Sequence, residues 1–174
     1  MGAPLETSPG YPAERPQRRG RAIAMLPGEI DDYLAGELTC RMATSGTHGP
    51  HNVPLWFYWD GRHMWLYSLV NSQRWHDLER DPRVAIVVDS GADWSQLRGV
   101  QIQGRVTRAG EAPRVGRPAD ADLLAAEARF HRKYRSLNPK YRDRPDAPLE
   151  YDGRHAWLRV EADKITSWDF RKIG

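Results

Sequence analysis

The chain has 174 residues, with 26 Lys+Arg against 23 Asp+Glu and a net charge of +3, and its pI is near 9.2. That length suits one domain with its own core, and a single cysteine, Cys40, excludes a disulfide framework or a zinc site built from several thiolates. No apolar run approaches the roughly 20 residues of a membrane span, and no apolar stretch follows the N-terminal arginines as in a signal peptide.

Residues 1–24 hold Arg15, Arg18, Arg19 and Arg21 against Glu6 and Glu14, so the remaining 150 residues carry only +1. With Pro4, Pro9, Pro12 and Pro16 and no hydrophobic period, residues 1–24 read as a flexible basic arm and residues 25–174 as the folded domain. Pro27 opens a short helix whose Ile30, Tyr33 and Leu34 share a face and which Gly36 stops. From Leu38 the period becomes two. Strands are predicted over Leu38–Thr44, His51–Trp59 and Arg62–Ser68, with Asp60-Gly61 as a tight turn whose central residues need positive φ. Ser72 is the N-cap of a helix reaching Arg80, and Pro82 ends it. Val84–Asp89 reads as a buried strand, while Val100, Ile102, Gly104 and Val106 alternate with polar residues in a strand with one wet face. After a loop over Gly110–Arg117, Pro118 and Asp120 start a longer helix with Leu123, Phe130 and Tyr134 near one stripe. Arg135–Pro148 reads as irregular, and His155–Val160 and Lys164–Phe170 as two last strands. Six to seven short strands with hairpin-length connections predict a mainly β fold, a closed antiparallel barrel with peripheral helices. Parallel α/β is excluded because strands and helices do not alternate.

The chain offers little catalytic chemistry of its own. His48 and His51 lack a nearby carboxylate or thiolate to complete a metal site, and the other four histidines fall on separate elements. Cys40 lies on a strand among apolar neighbours, where a thiol is inert. No nucleophile elbow, P-loop or Rossmann glycine pattern occurs. No catalytic residue is assigned and no metal is expected, so a cofactor would have to bring the chemistry. Ser68-Leu69-Val70-Asn71-Ser72-Gln73-Arg74 is the best local site: a strand end, a polar turn, then a helix start with a hydroxyl and a guanidinium. Such a terminus suits a phosphate, although spacing alone favours an ordinary capped helix with an exposed arginine. Four of the seven tryptophans (Trp56, Trp59, Trp65, Trp75) fall within twenty positions around it, as core filler or as a pocket wall.

The segment from His48 through Val53-Pro54-Leu55-Trp56-Phe57 resembles the second strand of the pyridoxamine 5′-phosphate oxidase-like, FMN-binding split β-barrel proteins. Asn71-Ser72-Gln73-Arg74, continuing through Leu78 to Ala85, is similar to their cofactor-phosphate loop, helix and following strand. Leu97-Arg98-Gly99-Val100 with Gly104 resembles their next strand. Ser167-Trp168-Asp169-Phe170-Arg171-Lys172 is similar to the ending of an actinobacterial branch, the flavin/deazaflavin oxidoreductases. The resemblance covers about residues 25–174. It implies a homodimer of split barrels holding the deazaflavin coenzyme F420, or alternatively FMN, in a groove between subunits. Carried over, Ser72, Gln73 and Arg74 hold the cofactor phosphate, Val53, Pro54, Leu55 and Trp56 line the ring, and Tyr67, Ser68 and Leu69 flank it from the adjacent strand. Trp94 and Arg98 are placed near the partner's cofactor. Many relatives carry lysine where Arg74 stands, which keeps the charge but changes the contact geometry. The ending Phe170-Arg171-Lys172-Ile173-Gly174 lacks the longer Trp…Arg-Leu-x-Pro segment of true pyridoxamine-phosphate oxidases, so that activity is not expected.

The function expected is an oxidoreductase that passes a hydride to an unsaturated or quinone-like small molecule, in the cytoplasm, without membrane or nucleic-acid partners. A flavin- or haem-binding carrier or sensor of the same fold is the alternative. A nucleic-acid-binding barrel using the basic arm is the remote one.

Overall fold

The computed structural model describes residues 17, 20–111, 121–144 and 154–173. The loop expected up to Arg117, the helix start at Pro118 and Asp120, most of the basic arm and the end of the irregular stretch lie outside these residues. Ten elements follow in order: α1 (Pro27–Gly36), β1 (Thr39–Gly46), β2 (Gly49–Trp59), β3 (His63–Leu69), α2 (Gln73–Arg80), β4 (Arg83–Ser90), β5 (Arg98–Glu111), α3 (Ala121–Tyr134), α4 (Pro139–Arg142) and β6 (His155–Asp169). The strands close an antiparallel barrel in the order β1-β2-β3-β6-β5-β4, with β4 returning to β1.

Period-two alternation fills it. Cys40 and Met42, Phe57 and Trp59, Met64 and Leu66, Ile86 and Val88, Val100 and Ile102, and Leu158 and Val160 form one continuous interior with α1's Ile30, Tyr33 and Leu34. A second cluster lies outside the barrel, where α3's Leu123, Ala126, Phe130 and Tyr134 cover Trp65 of β3 and Trp157 of β6. The outward aromatic face of β3 and β6 is therefore roofed by a helix rather than left wet.

Three local expectations change. The two last strands are one, because β6 pairs with β3 through Glu161 and with β5 along its whole length. Asp163 is the extra residue of a bulge between Gln103 and Gly104, which bends the strand without ending it. At Gly104 a Cβ would lie 2.1 Å from the Glu161 carbonyl oxygen, so the crossing strand demands glycine there. At the β2–β3 turn only Gly61 has positive φ, 94°. Asp60 acts through its carboxylate instead, accepting from the backbone N–H of Arg62 at 2.8 Å and of His63 at 2.6 Å, and from Trp65 Nε1 at 2.6 Å. Within Arg135–Pro148, a 3-10 turn over Arg135–Leu137 precedes α4. Asn138 caps α4, its Oδ1 accepting from Lys140 N at 3.0 Å, and four residues are too few to show a helical period.

Gln17, inside the expected arm, exchanges two 3.0 Å hydrogen bonds with the Ser167 backbone. Met25 N donates to Ser167 Oγ at 3.0 Å, so the entering chain is tied to the end of β6. No helix of the described residues is long and apolar enough to cross a membrane.

Candidate functional site

The barrel is split at one seam. β1 pairs with β2 from Gly49 to Trp56, whereas β2 pairs with β3 only through Phe57, Tyr58 and Trp59 against Leu66, Trp65 and Met64. Continuing that register would set Trp56, Leu55 and Pro54 opposite Tyr67, Ser68 and Leu69, but no ladder forms there. Pro54 has no N–H to give one.

Tyr134, the last residue of α3, stands where the pairing stops. Its hydroxyl accepts from Phe57 N at 3.0 Å and lies 2.6 Å from Phe57 O and 2.9 Å from Leu38 O. Burial pushes its pKa up, keeping it neutral. Its ring stacks on Trp56 at 4.5 Å and 7°. A cleft of about 260 Å³ opens beside this stack. Pro54, Leu55, Trp56 and Tyr67 line it from the two strand edges, Phe130, His131 and Tyr134 from α3, and Arg135, Asn138 and Tyr141 from the segment that follows. Tyr67 is fixed by parallel stacking on His155 at 4.4 Å and by Trp157 at 4.9 Å.

On the other side of β3 the alternation turns Ser68 inward, and it is wholly buried. There the Arg74 guanidinium meets it, with Nη2 2.9 Å and Nε 3.3 Å from Ser68 Oγ. Arg74 is only 6 % exposed, and no carboxylate among the described residues pairs with it. Burial lowers its pKa. A buried guanidinium without an anion is costly, and a phosphate or similar oxyanion reaching it would offset that cost. Ser72 caps α2, accepting from Trp75 N at 3.2 Å and donating to Leu69 O at 2.9 Å. Gln73 Nε2 donates to Asp77 Oδ1 at 2.8 Å. Asp77 is fully buried. Burial alone would raise its pKa, but hydrogen bonds from Gln73 and Thr44 and the charge of Arg80 hold it low. The helix start is thereby locked to the β1–β2 hairpin.

Of the residues carried over from the resemblance, four (Pro54, Leu55, Trp56, Tyr67) share the cleft. Ser68 and Arg74 meet on the barrel side of the same seam, and Ser72 and Gln73 stand at the helix start beside them. Val53 is half-buried and Leu69 exposed, and neither lines the cleft. The cleft's other wall, from Phe130 to Tyr141, carried no functional signal in the sequence. Its apolar stripe was legible as packing, but which barrel face it covers depends on contacts distant along the chain.

Other candidates have structural surroundings. Cys40 is buried, which pushes its thiol up to about 12. Arg98 pairs with Asp169 at 3.2 Å and lies over the Tyr33 ring. Trp94, 65 % exposed, meets Phe170 edge-on. The C-terminal motif closes the fold: a Cβ on Gly99 would lie 2.2 Å from the Trp168 ring, and Lys172 Nζ donates to Ala24 O at 2.9 Å.

Among solved structures, a conserved hypothetical protein from Mycobacterium tuberculosis is 27% identical, with a TM-score of 0.70 over 91% of this chain and 93% of that one. A structure described as an F420 reductase is 18% identical with a TM-score of 0.54, covering 78% of this chain and 94% of that one. An FAD-binding protein from Mesorhizobium loti is 19% identical with a TM-score of 0.55, covering 83% and 93%. These two share the barrel. No curated protein sequence matches the chain. The model of the pyridoxamine 5′-phosphate oxidase family matches residues 26–169, which span the whole barrel from the start of α1 to the end of β6. On that match and this split barrel, the chain belongs to the pyridoxamine 5′-phosphate oxidase family.

Proposed function

We propose that the chain is an oxidoreductase that binds a flavin-type cofactor, F420 before FMN, along the seam between Val53–Trp56 and Tyr67–Leu69. The observation that carries this reading is Arg74, a buried guanidinium whose described partner is a neutral hydroxyl. Ser68, Ser72, Gln73 and Arg74 hold the cofactor's phosphate, and Val53, Pro54, Leu55, Trp56, Tyr67 and Leu69 flank its ring. Relatives described as an F420 reductase and an FAD-binding protein share the barrel, which supports a flavin-type cofactor. F420 stands first on the branch resemblance of Ser167–Lys172, since these residues close the fold and do not line the cleft.

When bound, such a cofactor supplies a hydride for an unsaturated or quinone-like small molecule. The chain's part is physical. Trp56 and Tyr67 are immobilised by stacking on Tyr134 and His155, so they give a rigid aromatic wall for orientation. α3 packs over Trp65 and Trp157 behind Tyr67, and Asp77 holds Gln73 in place through a 2.8 Å hydrogen bond. The working form is a cytoplasmic homodimer.

Titration of the cofactor-free protein with FMN and F420, followed by turnover of reduced F420 against quinones and enones, tests the reading. Saturable binding with F420 tighter, and oxidation by at least one acceptor, is expected. Tight binding without turnover would leave a carrier, and binding of neither cofactor would remove the assignment altogether.

A further inference from the structure

The cleft at the seam takes the C-terminal end of α3. The first half of that helix borders a second hollow, of about 320 Å³, beside the β2–β3 turn. Asp122, Ala125, Ala126 and Arg129 line its helix side. Spacings of four and three put Asp122, Ala126 and Arg129 on one helix face, with Asp122 and Arg129 about 10 Å apart along the axis. The small alanine side chains leave the space between a carboxylate at one end and a guanidinium at the other. Tyr58, Asp60, Arg62 and His63 close the strand side.

These charges are unequally committed. Asp60 is occupied within the turn, accepting from the backbone N–H groups of Arg62 and His63 and from Trp65 Nε1, with His63 Nδ1 at 3.4 Å. Arg129 uses Nη1 on the Tyr58 hydroxyl at 3.2 Å, which leaves most of its guanidinium donors open. The Arg62 and Asp122 side chains make no hydrogen bond or ion pair among the described residues. Opposite charges thus line one cavity without neutralising each other, and the alanine methyls lie between them.

We propose that this hollow binds an extended zwitterion, an ω-amino carboxylate, with its carboxylate toward Arg129 and Arg62 and its ammonium toward Asp122. A guanidinium fork takes a carboxylate in two-point fashion, and an open carboxylate takes a compact ammonium. The methylene chain between them covers the alanine methyls. An α-amino acid carries its charges on adjacent groups and cannot reach both ends. The hollow shares no residue with the seam or its cleft, so the inference stands apart from the cofactor reading.

The test is calorimetry of the full chain with 6-aminohexanoate, hexanoate, hexylamine and glycine. Heteronuclear NMR locates the site through the Trp65 indole N–H, which reports on Asp60. Saturable one-to-one binding of 6-aminohexanoate is expected, with a shift at Trp65 and weakening by salt. The other three probes should bind at least about tenfold more weakly, the scale of one charge-assisted hydrogen bond. Asp122→Asn should abolish the preference over hexanoate, and Arg129→Gln the preference over hexylamine. Arg74→Met should weaken FMN and F420 and leave 6-aminohexanoate unchanged. Absence of saturable binding, equal affinity for 6-aminohexanoate and hexanoate, or saturation without a shift at Trp65 overturns the proposal. So does a preference that survives in Asp122→Asn. The probe series and the Trp65 shift use the unaltered protein, so they decide the matter even if a variant misfolds.

Discussion

Arg74 concentrates the functional question in one side chain. Cations are rarely this buried without a carboxylate, because desolvation is offset only by a close anion. Two outcomes separate a binding role from a packing role. Arg74→Met removes the charge but keeps most of the volume. The cofactor dissociation constant should weaken by about 1.5–3 kcal/mol, the worth of a hydrogen bond to a charged group. The cofactor-free melting temperature should hold or rise, since an uncompensated charge leaves the interior. Calorimetry against FMN and F420, with thermal melts of both proteins, measures the pair. A lower melting temperature with unchanged affinity would make Arg74 a packing residue. Neighbouring Gln73 shows how far residue types carry: its place after the cap was legible, but its partner, Asp77 at 2.8 Å, was not. That contact is a helical i,i+4 pair, yet its strength comes from Thr44 across the hairpin, which shares the same buried carboxylate.

Among the elements, α3 and β6 have the clearest consequences. α3 is anchored at its end by Tyr134, whose hydroxyl serves Phe57 just where β2 loses its β3 partner. Tyr134→Phe keeps the stack on Trp56 but leaves buried backbone groups of Phe57 without that partner. A loss of about 1–3 kcal/mol in urea unfolding is expected; an unchanged midpoint would mean the cleft wall is held by packing alone. At the end of β6, hydrogen bonds from Arg171, with the charge of Arg98 nearby, hold Asp169 at about 2 despite its burial. An unfolded Asp titrates near about 3.9. The folded value is depressed, so the stabilisation is complete above pH ~4 and is lost as pH falls toward 2. Unfolding free energies measured from pH 5 to pH 2 should fall less steeply in Asp169→Asn than in the parent. Equal slopes would show that another group governs the acid limb.

For the molecule as a whole, the proposed homodimer predicts a sedimentation mass of roughly 40 kDa, twice the 19.9 kDa chain. A 20 kDa species at micromolar concentration would leave the seam exposed in a monomer and remove the groove between subunits. Charge matters at this scale too. A pI near 9.2 would suit a polyanionic partner, yet the chain outside residues 1–24 carries +1, so its positive chemistry is local, at Arg74.

What the sequence by itself determined is whatever depends on near neighbours along the chain. Period-two alternation marked the strands and their inward faces, because side chains alternate on a pleat whatever lies beyond. Ser72 marked the start of α2, because a cap bonds within one turn. The order of motifs, read together, marked the split barrel family. Tertiary structure decided the rest. The sequence could not tell that β6 is one bent strand, since the bulge at Asp163 follows from the register against Gln103 and Gly104. Nor could it show that β2 would lose its β3 partner beyond Phe57, or that Phe130 to Tyr141 would roof the seam left there. Those facts arise from contacts between residues distant along the chain, such as Trp56 with Tyr134 and Gln103 with Lys164, and they exist only once the barrel has closed.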